Sequence, residues 1–333
     1  MRTLVLMGLL AGCGGGEADP AAPDASQPTC PSGWGTGTFF RNATASDIAA
    51  CVEAGESLRA RNSEGDTPLH LAASVSDDPE VIRALINAGA RPDSRNNTDY
   101  TVLCSAVVNN ENPVVIQALL DGGSTTFELC GANIGGSHPG LTPLHLAATW
   151  NSNPDVAEAL IRAGADVNAE GGVSGTGTPL FVAACCNNNP AMVELLLRYG
   201  AELRLVAQHG ARNENAEIMR ILVAAGADLS GALHRAVFNR TTEVTEILIA
   251  AGADLDGRET AYRVEGNIGG LTPLHFAAMA GMANLESLEA LLRAGADPNL
   301  LDDTGRTALD WAESSGQTQI AALLRAHGGR NSG

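Results

Sequence analysis

The sequence contains no lysine, so all 20 of its basic residues are arginines. Acidic residues outnumber them at 38, and the formal net charge is −18. Because a nucleic-acid-binding surface needs a positive field to contact phosphates, this balance argues against nucleic acid as a ligand. The missing lysine also excludes Schiff-base chemistry and the lysine of a phosphate-binding Walker loop. The same acidity favours solubility and suits a basic partner.

Aromatic side chains and long apolar runs are also scarce. Only 4% of the residues are aromatic, so a core must consist mostly of Ala, Leu, Val and Ile. No apolar run of about eighteen residues is present, which excludes a polytopic membrane protein. The hydrophobic content of 44% is nevertheless normal for a folded chain, so global disorder is excluded. A length of 333 residues allows one large domain or two ordinary ones.

Short motifs that carry common chemistries are missing as well. The sequence has no H-E-x-x-H, G-x-S-x-G, C-x-x-C or Walker A motif. The glycine-rich stretch at residues 33–37 lacks the last glycine of a dinucleotide-binding loop and follows no predicted strand, so we interpret it as a linker turn. We therefore expect no catalytic residue, metal or cofactor. A metal-binding or hydrolytic enzyme is a remote alternative.

The amino terminus resembles the signal peptide of bacterial lipoproteins. A short basic start precedes an apolar run at residues 4–10, and residues 10–13 have the Leu-Ala-Gly-Cys order of a lipobox. The small residues admit a peptidase, and the thiol of Cys13 accepts the lipid. The resemblance implies removal of residues 1–12 and attachment to a membrane surface through acyl chains alone. Gly14 follows the cysteine, which by the enterobacterial sorting rule implies the outer membrane, facing the periplasm.

Two markers recur along the rest of the chain. A Thr-Pro-Leu-His motif begins at Thr67, Thr142 and Thr272, and weaker copies begin at Thr101, Thr178, Ala232 and Thr307. The second marker is an apolar helical stretch that ends in a glycine: Gly55, Gly89, Gly122, Gly164, Gly200, Gly226, Gly252, Gly295 and Gly328. Successive glycines are 34, 33, 42, 36, 26, 26, 43 and 33 residues apart. Linked markers at a base period of about 33 residues indicate a repeat protein.

The pattern resembles the ankyrin repeat over roughly residues 39–329. The resemblance implies an all-α solenoid of stacked helix–turn–helix units with hairpin loops, about nine units including caps. We assign this domain to residues 29–329, after a flexible tether at 13–28 and before a tail at 330–333. The residues favour the same fold, because Thr-Pro starts a helix well and one unit alone cannot cover its apolar face. Ankyrin-type proteins characteristically bind other proteins.

The irregular steps predict where the array departs from its own period. Two steps of 26 residues predict that the units near 203–229 and 230–255 lack their hairpins. The steps of 42 and 43 residues predict insertions at roughly 124–140 and 257–270. A smaller expansion is expected at 170–177. Loops of this kind need not pack, so they can carry specificity.

Partner-binding residues are therefore sought on the hairpins, on the insertions and at the ends of first helices. The candidates are Arg95, Asn97, Tyr100, Phe127, Ile134, His138, Trp150, Arg258, Tyr262 and Arg263. Trp150 is a plausible aromatic anchor at a helix end. The competing interpretation is that side chains such as Phe127 and Tyr262 only pin their own loops to the stack.

The recurring histidines could suggest a metal site. These are His70, His145, His234 and His275. The ankyrin resemblance implies a structural role instead, in which each imidazole bridges backbone groups of adjacent loops. No cysteine or carboxylate recurs with them at a ligand spacing, which favours that interpretation.

Seven cysteines are present, and six remain if Cys13 carries lipid. An even number in an oxidising compartment favours disulfides. We expect a Cys30–Cys51 bridge at the start of the array and a Cys104–Cys130 bridge that ties the first insertion to the stack. For the adjacent Cys185 and Cys186, a strained vicinal disulfide competes with free buried thiols. Six cysteines allow fifteen pairings, so these remain hypotheses.

Taken as a whole, the sequence predicts a monomeric, lipid-anchored envelope protein that binds another protein. A scaffold or adaptor role is the first interpretation. An immunity-type inhibitor of a secreted toxic enzyme is the alternative, because an acidic surface with extended loops would suit a basic target.

Overall fold

A computed structural model describes residues 29–131, 140–171, 177–259, 269–280 and 285–333. Within these ranges the chain forms eighteen short helices and isolated bridges, with no longer strand. The helices are α1 (Gly37–Asn42), α2 (Ala45–Glu53), α3 (Pro68–Val75), α4 (Pro79–Asn87), α5 (Val102–Asn109), α6 (Pro113–Asp121), α7 (Pro143–Trp150), α8 (Pro154–Arg162), α9 (Pro179–Cys186), α10 (Pro190–Arg198), α11 (Val206–Gly210), α12 (Ala216–Ala224), α13 (Ala232–Ala236), α14 (Glu243–Ala250), α15 (Pro273–Ala280), α16 (Leu285–Ala294), α17 (Ala308–Ser314) and α18 (Thr318–Ala326).

The helices form consecutive pairs that stack into a solenoid. Each odd-numbered first helix packs against the first helices of the neighbouring units, and each even-numbered second helix does the same on the other side. Buried apolar side chains run without interruption from Phe40 to Leu324. The predicted all-α stack of about nine units is confirmed. None of the described helices is long and apolar enough to cross a bilayer.

Four of the twelve aromatic residues lie in the first and last units of the stack. Trp34 packs against Phe39 and Phe40 at the first unit, with ring centroids 5.7 and 5.5 Å away. In the last unit, the guanidinium of Arg306 lies 4.7 Å from the ring centroid of Trp311. Terminal units have only one neighbour, so larger side chains replace the missing partner there.

A loop joins each second helix to the next first helix, and the long loops of this kind are called fingers here. Four of the fingers are closed by an isolated bridge, as between Arg95 and Thr101. The links at residues 199–205 and 225–231 are much shorter and carry no bridge. We call the α11–α12 and α13–α14 pairs that follow them the compact units. They lie where the 26-residue steps predicted missing hairpins.

One glycine marker in the sequence was assigned a residue too early. Gly122 has φ −79°, and the left-handed residue after α6 is Gly123, with φ 102°. A β-carbon on Gly122 would come within 2.4 Å of Ile86 Cδ1, so this position is small for packing rather than for backbone conformation. Two adjacent glycines satisfied the marker equally in the sequence, which caused the error.

A ladder of buried asparagines runs along the turns between first and second helices. Each side-chain amide donates two hydrogen bonds to backbone carbonyls of the preceding unit. Asn187, for example, donates to Ala148 O at 3.0 Å and to Asn151 O at 3.1 Å. The ladder consists of Asn110, Asn151, Asn187, Asn213 and Asn239. It passes through both compact units without a break.

Candidate functional site

The four recurring histidines each link their own unit to the next along the finger edge. His70 Nε2 donates to Tyr100 O at 3.2 Å, and His145 Nε2 donates to Gly177 O at 3.0 Å. Because a carbonyl can only accept, Nε2 carries the proton and Nδ1 is an acceptor. The hydroxyl of Thr67 lies 2.8 Å from His70 Nδ1 and satisfies it. The Thr142–His145 and Thr272–His275 pairs repeat this contact.

These imidazoles are buried, and that burial lowers the pKa of His70, His145 and His275 below the ordinary histidine value. They are therefore neutral at pH 7. Across the part of the chain that the structure describes, no cluster of three His, Cys, Asp or Glu side chains could hold a metal ion. Their geometry is that of structural bridges between loops.

Other residues take the same position in the remaining units. Cys104 stands where the histidine would be and is disulfide-bonded to Cys130, so a covalent link replaces the imidazole bridge to the next loop. Gln208 donates from Nε2 to Ser230 O at 2.7 Å, which preserves the link in a compact unit. The structure also joins Cys30 to Cys51 and Cys185 to Cys186.

Arginines form a second set of links between fingers, and two of them are candidates from the sequence. Arg61 Nη1 donates to Arg95 O at 2.6 Å, and Arg95 Nη1 donates in turn to Leu129 O at 3.0 Å. Arg95 also pairs with Glu128 at 3.2 Å. Arg258 donates to Leu301 O in the next finger. These contacts assign Arg95 and Arg258 a structural role, whatever else they bind.

Asn97 and Tyr100 are also engaged within the stack. Asn97 Nδ2 donates to Ser63 O at 3.0 Å, and its backbone N–H donates to Glu64 O at 2.9 Å. Tyr100 is half-buried, and the position of a β-carbon on Gly131 would be 3.3 Å from its ring. Burial raises the pKa of the Tyr100 phenol. Both residues hold one finger against its neighbour.

Phe127 stands apart from these candidates because its side chain is 75% exposed. Leu129, two residues later, is 40% exposed and was not identified from the sequence. Trp150 is 42% exposed at the end of α7, where it lines a groove of about 570 Å³ with Cys186 and Asn189. Among the described residues, Val114, Leu205 and Leu301 are the other exposed large apolar side chains, and Phe127 is the most exposed of the six.

Five residues selected from the sequence lie outside the described residues. They are Cys13, Ile134, His138, Tyr262 and Arg263. Their roles stay predictions.

Helix pairs stacked through ladders of side-chain-to-backbone bonds define an α-solenoid repeat protein. A family model described as ankyrin repeats, in three copies, matches residues 46–127, 115–207, 180–259 and 233–332. The chain belongs to the ankyrin-repeat family. A similar solved structure is the human ASB11 ankyrin repeat domain, at 24% identity with a TM-score of 0.54, covering 68% of this chain and 98% of that one. That likeness shows the fold, and ankyrin repeats indicate a protein–protein interaction module.

Proposed function

We propose that this protein binds a partner protein through apolar side chains on its first insertion and at its first-helix ends. The observation that carries the proposal is Phe127, a large apolar side chain that is 75% exposed. It lies three residues before Cys130, whose disulfide to Cys104 fixes the insertion to the stack. A held aromatic anchor loses little conformational entropy on binding, which is typical of residues that dominate interfaces.

The proposal includes anchoring at the bacterial envelope as a monomeric scaffold or adaptor. The lipobox at residues 10–13 supports this, with Cys13 acylated and the protein held at the outer membrane, facing the periplasm. Three disulfides suit such an oxidising compartment. Labelled palmitate should enter the wild-type chain and not Cys13→Ser. Equal labelling of both chains would rule out this anchor.

An affinity purification tests partner binding. The full chain is used as bait in detergent-solubilised envelope extract, beside the variants Phe127→Ala and Val114→Ala. Val114 is 48% exposed at the start of a second helix, at the opposite end of its unit from the first insertion, and so provides a matched control for Phe127. We expect Phe127→Ala to weaken capture by about 2 kcal/mol, or more than tenfold, and the control to leave it unchanged. A partner captured equally by both variants would refute this surface.

The net charge of −18 favours a second candidate, an inhibitor of a basic toxic enzyme. This candidate predicts that the captured partner is a basic enzyme encoded by a neighbouring gene, and that the chain blocks its activity at a one-to-one ratio. A scaffold would leave its partner active.

A further inference from the structure

A cavity of about 400 Å³ lies where the second short link meets the following full finger. Elsewhere adjacent fingers hydrogen-bond to each other, as Asn97 N–H does to Glu64 O. The link at 225–231 is too short to form a finger. The first arm of the next finger, near 254–259, therefore faces the cavity rather than a neighbouring finger. The walls include Gln208, Ser230, Gly231, His234, Asp254 and Glu259.

Two acceptor atoms at this cavity have no hydrogen-bond partner among the described residues: His234 Nδ1 and Glu259 Oε2. The other recurring Thr-Pro-Leu-His units satisfy Nδ1 with the threonine hydroxyl three residues earlier. Here that position is Gly231, which has no side chain and a left-handed φ of 72° that the short link requires. His234 is only 3% exposed, and a buried acceptor that lacks a donor costs stability.

The protonation of His234 follows from its other nitrogen. Nε2 donates to Leu271 O at 3.0 Å, so it carries the proton. Burial lowers the pKa of His234 below the ordinary histidine value, and the ring is neutral at pH 7. Nδ1 therefore presents a lone pair, and whatever satisfies it must donate a hydrogen bond.

Most other polar groups around the cavity are already engaged. Glu259 Oε1 pairs with Arg235 at 3.2 Å, which leaves Oε2 as the second acceptor. Arg258 donates a hydrogen bond to Leu301 O, and Gln208 Nε2 donates one to Ser230 O. Asp254 adds another carboxylate to the wall. The unsatisfied atoms are acceptors, one of them belongs to a carboxylate, and the volume greatly exceeds the roughly 30 Å³ of one water.

We propose that this cavity binds a cationic N–H group, a guanidinium or an ammonium, carried by a small molecule or by a partner's side chain. Such a group supplies several donors at once and places its charge beside Glu259 and Asp254, where it joins the guanidiniums of Arg235 and Arg258. The partly apolar wall at Leu229 suits the stem of an arginine or lysine. The strongly acidic chain attracts cations over a longer range. The site is separate from the Phe127 surface, so each can fail without the other.

The test uses nitrogen NMR of the full chain at pH 7.5 with its seven histidines labelled selectively, and follows the signals of His234 and of three control histidines. His70, His145 and His275 are internal controls, since their Nδ1 atoms already accept from threonine. The probes are agmatine, N-acetylarginine amide and the uncharged N-acetylcitrulline amide. We expect a saturable shift of the His234 Nδ1 signal with the two cations and little with citrulline.

The two cationic probes distinguish the source. Tighter binding of agmatine indicates a free small molecule, and tighter binding of the blocked arginine indicates a side chain. Glu259→Gln should weaken binding by about tenfold, while Glu243→Gln, which alters an exposed ion pair away from the cavity, should not. Unmoved signals of the three control histidines show that each variant is folded. No selective shift at His234, or an equal shift with citrulline, overturns the proposal.

Discussion

The stack has two edges that are built differently. On the turn edge the two helices of each unit are joined, and on the finger edge one unit is joined to the next. On the turn edge, the asparagine ladder repeats the same pair of buried bonds from Asn110 to Asn239. On the finger edge, the link between units is an imidazole in some units, a disulfide at Cys104 and an amide at Gln208. The finger edge also gains insertions and loses whole hairpins. From Asn110 to Asn239 the turn edge keeps one chemistry, whereas the finger edge does not.

This difference indicates which edge maintains the stack and which can vary. A ladder of buried side-chain amides leaves carbonyls unsatisfied if one member is lost, so each member is costly to replace. Finger loops lie at the surface and solvent can satisfy their backbone, so they tolerate insertion and deletion. The compact units lack fingers yet retain Asn213 and Asn239 in the ladder. Insertions and lost hairpins are thus features of the finger edge.

The largest effect on the finger edge should come from the disulfide. The double variant Cys104→Ala, Cys130→Ala removes the covalent link that stands in for an imidazole bridge. Chain-entropy arguments for a loop of this length predict a loss of about 3 kcal/mol in the free energy of unfolding. Urea titration followed by circular dichroism measures it. A loss below about 0.5 kcal/mol would mean that the insertion is held by its other contacts.

On the turn edge, Asn187→Ala should cost about 2 kcal/mol. The change leaves Ala148 O and Asn151 O without their donors, and it removes the acceptor for Asn189 N–H at 2.9 Å. Asn188→Ala, at the next and exposed position, is the matched control and should change stability by less than about 0.5 kcal/mol. The two variants are compared by urea unfolding. Equal effects would show that the ladder adds nothing specific.

The sequence was most informative where a feature is local. Thr-Pro helix starts and glycine helix ends recur at a base period of about 33 residues, so the stack could be predicted. The two shorter steps between glycines predicted the missing hairpins. The asparagine ladder was missed, although its signal is present: Asn110 and Asn112, like Asn151 and Asn153, are spaced so that the second caps a helix and the first bridges units. A proline follows Asn112 and Asn153, so the sequence indicates their capping role more directly than the bridging role of Asn110 and Asn151.

Features that depend on a neighbouring unit could not be predicted in this way. The guanidinium of Arg95 reaches Leu129 O, which lies 34 residues further along the chain. The side chain looked available for a partner because the sequence does not show which loop faces it. Similarly, the cavity beside His234 arises from a finger that is absent. The binding roles of Phe127 and Trp150 remain predictions.

Acidification should lower the free energy of unfolding, because the buried histidines of the finger edge bind protons more readily in the unfolded chain. The folded-state pKa of His145 is lowered by burial, so the unfolded chain binds more protons as the pH falls below about 6.5. Stability is therefore fully present above that pH and decreases below it, before carboxylates titrate near pH 4. His145→Gln should reduce the slope of unfolding free energy against pH by up to about 1.4 kcal/mol per unit between pH 6.5 and 5. An unchanged slope would mean that the buried imidazole takes up its proton without unfolding.

The smallest effect is expected for Asn97→Ala, which tests the finger edge with the same residue type as the turn ladder. Asn97 Nδ2 donates one bond to Ser63 O, and this contact is exposed. Water can replace an exposed donor, so the loss should be about 0.5 kcal/mol, against about 2 kcal/mol for Asn187→Ala. Both variants exchange one asparagine for alanine, so the chemical change is matched and burial differs. If Asn97→Ala costs as much as Asn187→Ala, fingers stabilise the stack as strongly as turns do, and the compact units must then owe their stability to something other than the ladder.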